Sequence, residues 1–292
     1  MILRSAGAAV RTPPRAPITT ASGASGASAV PGRPRRRGIW IFLAIVTALV
    51  LVIPAGLTAW GRAIRQTTTS VTPYRHAITE LRLDAGGAEV SVGPGPDGEA
   101  HVYKRLSWGV RKPDTTEAVV GGVLFVTFRC NGSGLVSGRE CGADIDVRVP
   151  RGTRVSAATG SGRISVRGLS GDLDLRTGSG EVRAADVRGR LRLRARSGAV
   201  VATGLASPEV KAEVSSGLLD LRFAEPPGAV EARAASGTIK VIVPPGSVYR
   251  VTGWTGSGSA HLNKAVLDDA SPRRISVHSG SGATYLDYRD EE

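Results

Sequence analysis

The chain has 292 residues, a hydrophobic fraction of 41%, an aromatic fraction of 4% and a formal net charge of +13. So little ring volume argues against a wide core built around aromatic side chains, and the 38 glycines suit a chain of many turns. Residues 1–38 hold seven Arg and no acid, so the remainder carries 13 − 7 = +6, and with five Lys among 38 basic residues the bias does not read as a phosphate-binding device.

Residues 1–38 read as a disordered, basic, cytoplasmic tail. Pro13-Pro14, the small-residue run Ala21 to Ala29 and the closing Arg33-Pro34-Arg35-Arg36-Arg37 offer no apolar surface to offset the entropy of ordering. Ile39 to Trp60 then runs 22 residues without a charge. About 20 such residues in a helix cross a hydrocarbon core of about 30 Å. Trp40 and Trp60 stand at the two ends, where indole rings favour the interface. Basic residues crowd the N-terminal flank, while only Arg62 and Arg65 follow closely. The positive-inside rule therefore predicts one transmembrane helix over 39–60, with the N-terminus cytoplasmic and the C-terminal body extracytoplasmic. A cleaved signal peptide, using Pro54 and Leu57-Thr58-Ala59, is the alternative, and it exports the same body.

Gly61 to Arg75 reads as a polar linker, and the β domain is expected from His76. Ile78 to Leu83 alternates apolar and polar, Gly86-Gly87 follows, and Val90-Ser91-Val92 repeats the alternation. Further strands are expected at His101–Leu106, Val119–Phe128 and Ile145–Val149, with Lys112-Pro113-Asp114 as a loop. Cys130 and Cys141 are the only cysteines and flank a Gly/Ser-rich loop. In an exported chain they are expected to form a disulfide, closing the N-terminal part of the β domain over 76–154.

Residues 155–288 repeat one phrase. Thr159-Gly160-Ser161-Gly162 returns as Thr177-Gly178-Ser179-Gly180, and the Ser-Gly pair recurs at Ser197, Ser216, Ser236, Ser257 and Ser281. The serine steps are 18, 18, 19, 20, 21 and 24 residues, the period of a repeat architecture. Apolar pairs three and five residues after each serine, such as Val200/Ala202, and six and four before it, such as Leu191/Leu193, have strand period two. Each unit is thus expected to hold two short strands and two turns, with Gly supplying positive φ. Stacking buries what one unit cannot. The predicted fold is all-β, a β-solenoid of 18–24-residue repeats behind one transmembrane helix, with an antiparallel β-sandwich as the alternative. The register predicts that Asp172 lies beside Arg190, and that Asp174, Arg192 and Lys211 form one column.

The strand near 81–92, the Cys-flanked loop, Val147-Arg148-Val149-Pro150-Arg151-Gly152-Thr153-Arg154-Val155 and the serial Thr-Gly-Ser-Gly phrases together resemble the bacterial domain of unknown function 4097, a family labelled as candidate adhesins. The likeness covers about 76–286. It implies a surface β-solenoid and carries no catalytic residues with it. Ser216 and Ser236 depart from the pattern in lacking the preceding Gly.

The Gly-Ser-Gly phrases run into strands, not helices, and lack the Gly-Lys-Ser/Thr of a phosphate loop. They hold Ser and Thr where calcium-binding β-rolls hold Asp. His76, His101, His261 and His278 lack metal spacing, and no Gly-x-Ser-x-Gly elbow is present. No catalytic, metal or cofactor site is expected. Asp172 and Asp174 share a strand face as a glycosidase pair would, but their predicted neighbours are Arg. Arg190, Arg192, Arg194 and Arg196 share the opposite parity to Leu191 and Leu193, and form a stripe that could take an anionic polymer or lipid head group. The functional expectation is a membrane-anchored envelope protein of adhesin type, which binds an envelope polymer or protein without catalysis. The alternatives are a polysaccharide-acting enzyme and an envelope sensor. Nucleic acid is not an expected partner of an exported body poor in aromatic residues.

Overall fold

The computed structural model describes residues 37–63, 66–109, 111–130 and 141–289. The basic tail expected over 1–38 lies almost wholly outside the described residues, as does the loop expected over 131–140. The chain divides into two units, Met1–Ile53 and Pro54–Glu292.

Helix α1 spans Arg37–Ala63, a little beyond both ends of the predicted segment. Its apolar side chains are exposed from Ile39 to Ile53. Among the described residues no helix is long and apolar enough to cross a membrane. The side chains of α1 are described only as far as Ile53, a rise of about 24 Å against a hydrocarbon core of about 30 Å. The span expected over 39–60 therefore lies partly beyond them.

Beyond the end of α1 the second unit is all-β apart from one 3-10 turn at Lys264–Val266, with 15 strands in one mixed sheet. β1 (Gln66–Tyr74) occupies most of the stretch expected to be a linker. Its run of β-branched Thr and Val pairs antiparallel with β4 (Ala100–Trp108), so local polarity misled: a polar edge strand needs only one partner. β2 (Glu80–Asp84) and β3 (Glu89–Pro94) are the two halves of the early alternating stretch. The single strand expected over Val119–Phe128 is instead part of a hairpin, β5 (Asp114–Val120) and β6 (Val123–Arg129). Gly121 and Gly122, at φ +58° and +79°, form its two-residue turn. β7 (Gly142–Val149) completes this part.

The repeat begins with β8 (Arg154–Thr159) and β9 (Arg163–Arg167), separated at Gly160-Ser161-Gly162 as expected. From there each unit is one long strand: β10 (Leu173–Ala185), β11 (Leu191–Leu205), β12 (Glu209–Phe223), β13 (Ala229–Val243), β14 (Arg250–Leu262) and β15 (Arg274–Tyr288). This corrects the expectation of two short strands and two turns per unit. Ser-Gly is a bend inside a paired strand. In β11 the buried positions are 191, 193 and 195 before the bend and 200, 202 and 205 after it. The parity changes at Ser197-Gly198, so both arms turn their apolar side chains into one core.

Every pairing among these units is parallel, which an antiparallel meander cannot give. Leu81, Val155, Leu173, Leu191, Val210 and Val230 form one buried column, and Val90, Ile164, Val182, Val200, Leu219 and Ile239 form another. The early alternating stretch is thus a true first copy, stacked directly on β8 and β9. Between strands, Leu169 and Val187 are buried, and the Arg188 N–H donates to Leu169 O at 3.1 Å.

Two features depart from a serial stack. β15 lies between β13 and β14, so Ser281, not Ser257, follows Ser236. The missing Gly before Ser216 and Ser236, and before Ser197 as well, costs no regularity, because all three serines stay in register. The required glycine is the one after the serine. A Cβ on Gly180 would stand 2.1 Å from Gly162 O, and one on Gly217 would stand 1.9 Å from Gly198 O. The column repeats this contact down the stack. Close backbone approach, as well as positive φ (+132° at Gly217), fixes the residue type.

Candidate binding face

Outward residues of the first arms build a lattice of charge. Asp174 is level with Arg192, Arg192 with Lys211 and Lys211 with Glu231. One position on, Arg176, Arg194, Glu213, Arg233 and His278 are level in turn. The predicted neighbours are thus neighbours. Arg190 Nη2 lies 2.7 Å from Asp172 Oδ2, and its backbone N–H donates to Asp172 Oδ1 at 3.0 Å. Arg192 lies 4.0 Å from Asp174, whose nearer partner is Arg176 on the same strand at 2.7 Å.

That same-strand partner was missed from sequence, although the signal is a plain acid-x-Arg pattern. It recurs as Glu80/Arg82, Asp146/Arg148, Asp174/Arg176, Glu181/Arg183, Asp220/Arg222 and Glu231/Arg233, each an ion pair. Strand period two puts both members on one face, within reach of each other.

The four Arg of the predicted stripe are brought to one face. Arg190 is held by Asp172, Arg192 approaches Asp174, and Arg194 stands 3.8 Å from Glu213. Arg196, exposed at the bend, has no ion pair among the described residues. A shallow depression of about 350 Å³ lies over this face between Arg154, Asp172, Asp174, Arg192, Glu209 and Lys211. A second, about 460 Å³, lies beside Glu213, Arg233, Trp254 and His278.

The carboxylates of the lattice are tuned by their partners. The hydrogen bonds from Arg190 hold Asp172 below the usual carboxylate range. Partial burial pushes Glu181 up, but the hydrogen bonds from Arg183 and Arg163 outweigh it and leave its pKa lowered. Glu231 follows the same pattern, with Lys211 and Arg233 overcoming desolvation. These groups stay ionised at neutral pH. They suit electrostatic recognition, not proton transfer.

Among the described residues no group of three or more His, Cys, Asp or Glu could hold a metal ion. His101 sits beside Glu99 at 3.3 Å. His261 stacks on Tyr285 with ring centres 5.0 Å apart, and His278 meets Trp254 edge-on at 6.1 Å. Cys130 and Cys141 form the expected disulfide.

The Toastrack DUF4097 family model matches residues 131–287, more than half of the chain and all of the repeat up to the last residues of β15. The chain belongs to the Toastrack family. Among solved structures it is similar to a candidate cell adhesion protein of Clostridium sporogenes, at 14% identity and a TM-score of 0.44, over 77% of this chain and 100% of that one. A candidate adhesin of Bacteroides fragilis matches at 13% identity and a TM-score of 0.41, over 76% and 97%. A candidate lipid-binding protein of Parabacteroides distasonis matches at 10% identity and a TM-score of 0.42, over 79% and 98%. No curated protein matches the chain. The Toastrack match begins within the Cys-flanked loop, and the charge lattice of β10–β13 lies inside it.

Proposed function

We propose that this Toastrack protein is a single-pass envelope protein whose β body is a short β-solenoid that binds an anionic partner without catalysis. Ile39–Trp60 is the anchor, the N-terminus is cytoplasmic and the body is extracytoplasmic. The uncharged 22-residue run supports the anchor, and the Cys130–Cys141 disulfide suits an oxidising compartment. The parallel, in-register columns support the solenoid.

The carrying observation is the exposed Arg face of β11. The side chains of Arg190, Arg192 and Arg194 are 67%, 52% and 42% exposed, so their ion pairs sit in water. Such pairs are each worth about 0–1 kcal/mol, so a polyanion can take over the Arg at little cost. Arg196 has no ion pair among the described residues to break. A flat column with charge spaced every strand, about 4.8 Å, fits a repeating polymer or an anionic surface better than a small molecule. Asp172 and Asp174 are both engaged by Arg, which lends the polysaccharide-enzyme reading no support.

Binding of an acidic envelope polymer to the purified chain tests this. Arg192→Glu with Arg196→Glu is expected to weaken binding and flatten its salt dependence, while Arg167→Glu, at an exposed outward position of the second-arm strand β9, leaves both unchanged. Equal binding by all three proteins would end the proposal. Protease added to intact cells is expected to remove the body; protection would refute the topology.

A further inference from the structure

The stack ends in blunted edge strands on one side and in an unblunted one on the other. At the N-terminal end of the sheet order, β1, β4 and β5 lie across β6 and β7 as antiparallel neighbours. The outermost strands there carry Pro73, Asp114 and Glu117, residues that blunt an edge. At the other end β14 pairs only with β15, and among the described residues nothing pairs with its outer side. β14 is 13 residues long, with neither Pro nor acid, and its one Lys or Arg is Arg250 at the first position. Trp254 is 59% exposed and Leu262 40%, and a depression of about 330 Å³ opens onto Val251, Gly253, Ala260, Leu262, Val277 and Thr284. These are the inward-facing columns, left uncovered. Repeat stacks that end this way need a cap.

The backbone says which groups are free. The Arg250 N–H donates to Arg273 O at 2.9 Å, and the Asn263 N–H donates to Leu286 O at 2.9 Å. Bonding direction alternates along a strand, so even-numbered residues face β15 before the bend and odd-numbered residues face it after. Val251, Gly253 and Thr255, then Gly258, Ala260 and Leu262, therefore aim their N–H and C=O groups at the open edge.

We infer that this edge joins two copies of the chain. β14 pairs antiparallel with β14 of the second copy about a two-fold axis at Gly256–Ser257. Val251 then faces Leu262, Gly253 faces Ala260 and Thr255 faces Gly258 across the contact. The same operation returns each pair, as an isologous interface requires. All six free residues of each copy become hydrogen-bonded partners, giving about twelve bonds against about ten in a typical interface. The paired residues are also the inward-facing ones, level with Ile275, Val277, Thr284 and Leu286 of β15, so the apolar columns run on from one copy into the other.

The chain's own basic segment ahead of α1 fits less well. Residues 1–36 are basic, and β14 offers them no carboxylate.

The test is self-association of the full-length chain in mild detergent, followed by sedimentation and by disulfide trapping. Thr252 and His261 would stand opposite each other as a non-hydrogen-bonded pair, with Cα atoms about 4.5 Å apart, within disulfide range. Thr252→Cys combined with His261→Cys is expected to give a covalent dimer, and neither single variant to do so. Leu262→Lys alters an exposed side chain and is expected to weaken association about tenfold or more. A monomer, a dimer indifferent to Leu262→Lys, or trapping by the single variants as strong as by the pair would each overturn the inference. A monomer that associates only after removal of residues 1–36 would assign the edge to the tail instead.

Discussion

Gly217→Ala probes the central claim about the repeat, that the glycine after each serine is fixed by the unit below it. Two costs add. Gly217 sits at φ +132°, a conformation only Gly adopts at little cost, and holding Ala there costs about 1–3 kcal/mol. The new Cβ would also stand 1.9 Å from Gly198 O, where ordinary contact begins at 3.4 Å, so the carbonyl must retreat and its hydrogen bond weakens, costing about 1 kcal/mol more. Together these are about 3 kcal/mol. In a domain of this size that lowers the melting temperature by roughly 6–12 °C. Gly246→Ala is the control: it has φ +75° but nothing within 4 Å of the new Cβ. It is expected to cost only about 1–2 kcal/mol, the backbone term alone. Thermal unfolding followed by circular dichroism reads both. Equal shifts would mean that φ alone selects glycine, and the close-approach argument would be wrong.

Lys104→Ala is expected to destabilise by about 2–4 kcal/mol in urea unfolding, because Lys104 and Glu117 are an ion pair only 11% and 10% exposed and Glu117 would keep only the hydrogen bond from the Tyr74 hydroxyl. Arg190→Ala, removing a pair that is 67% and 32% exposed, should cost under about 1 kcal/mol in the same assay. Because Asp172, Glu181, Glu231 and Asp287 are all held below the usual carboxylate range, their stabilisation is present above about pH 4 and lost as pH falls through the lowered values. Acid unfolding should begin at higher pH in Asp172→Asn than in the parent. At the other extreme, burial and then Glu117 raise Tyr74, and burial raises Tyr249. Their contribution is present below about pH 10 and falls as pH rises beyond it, which alkaline melting curves would show. Reduction of Cys130–Cys141, separated by 11 residues, should cost about 3 kcal/mol on the chain-entropy account.

Periodicity carried the sequence far. Alternation named the buried columns, down to Leu191/Leu193 and Val200/Ala202, because a strand shows every second side chain to one face. The steps of 18 to 24 residues gave the register, so Asp172 met Arg190 as expected. Polarity misled where a strand needed no buried face, as in β1, and a glycine pair hid the turn between β5 and β6. The acid-x-Arg pairs are legible as alternation, but spacing along the chain does not say whether an acid's same-strand or next-strand Arg lies nearer, as Asp174 has Arg176 at 2.7 Å and Arg192 at 4.0 Å.

The sequence by itself determined what local covalent pattern can determine: an all-β repeat, its period, its inward residues and its disulfide. The tertiary structure decided three things. Ser-Gly bends a strand instead of ending it, because both arms must face one core. The glycine after the serine is obligatory, because another backbone lies against it. And β15 enters between β13 and β14, leaving β14 as the open edge. Each of these depends on which strand lies beside which. Units with nearly the same pattern can exchange places in a stack without changing any local preference, so no reading along the chain could order them.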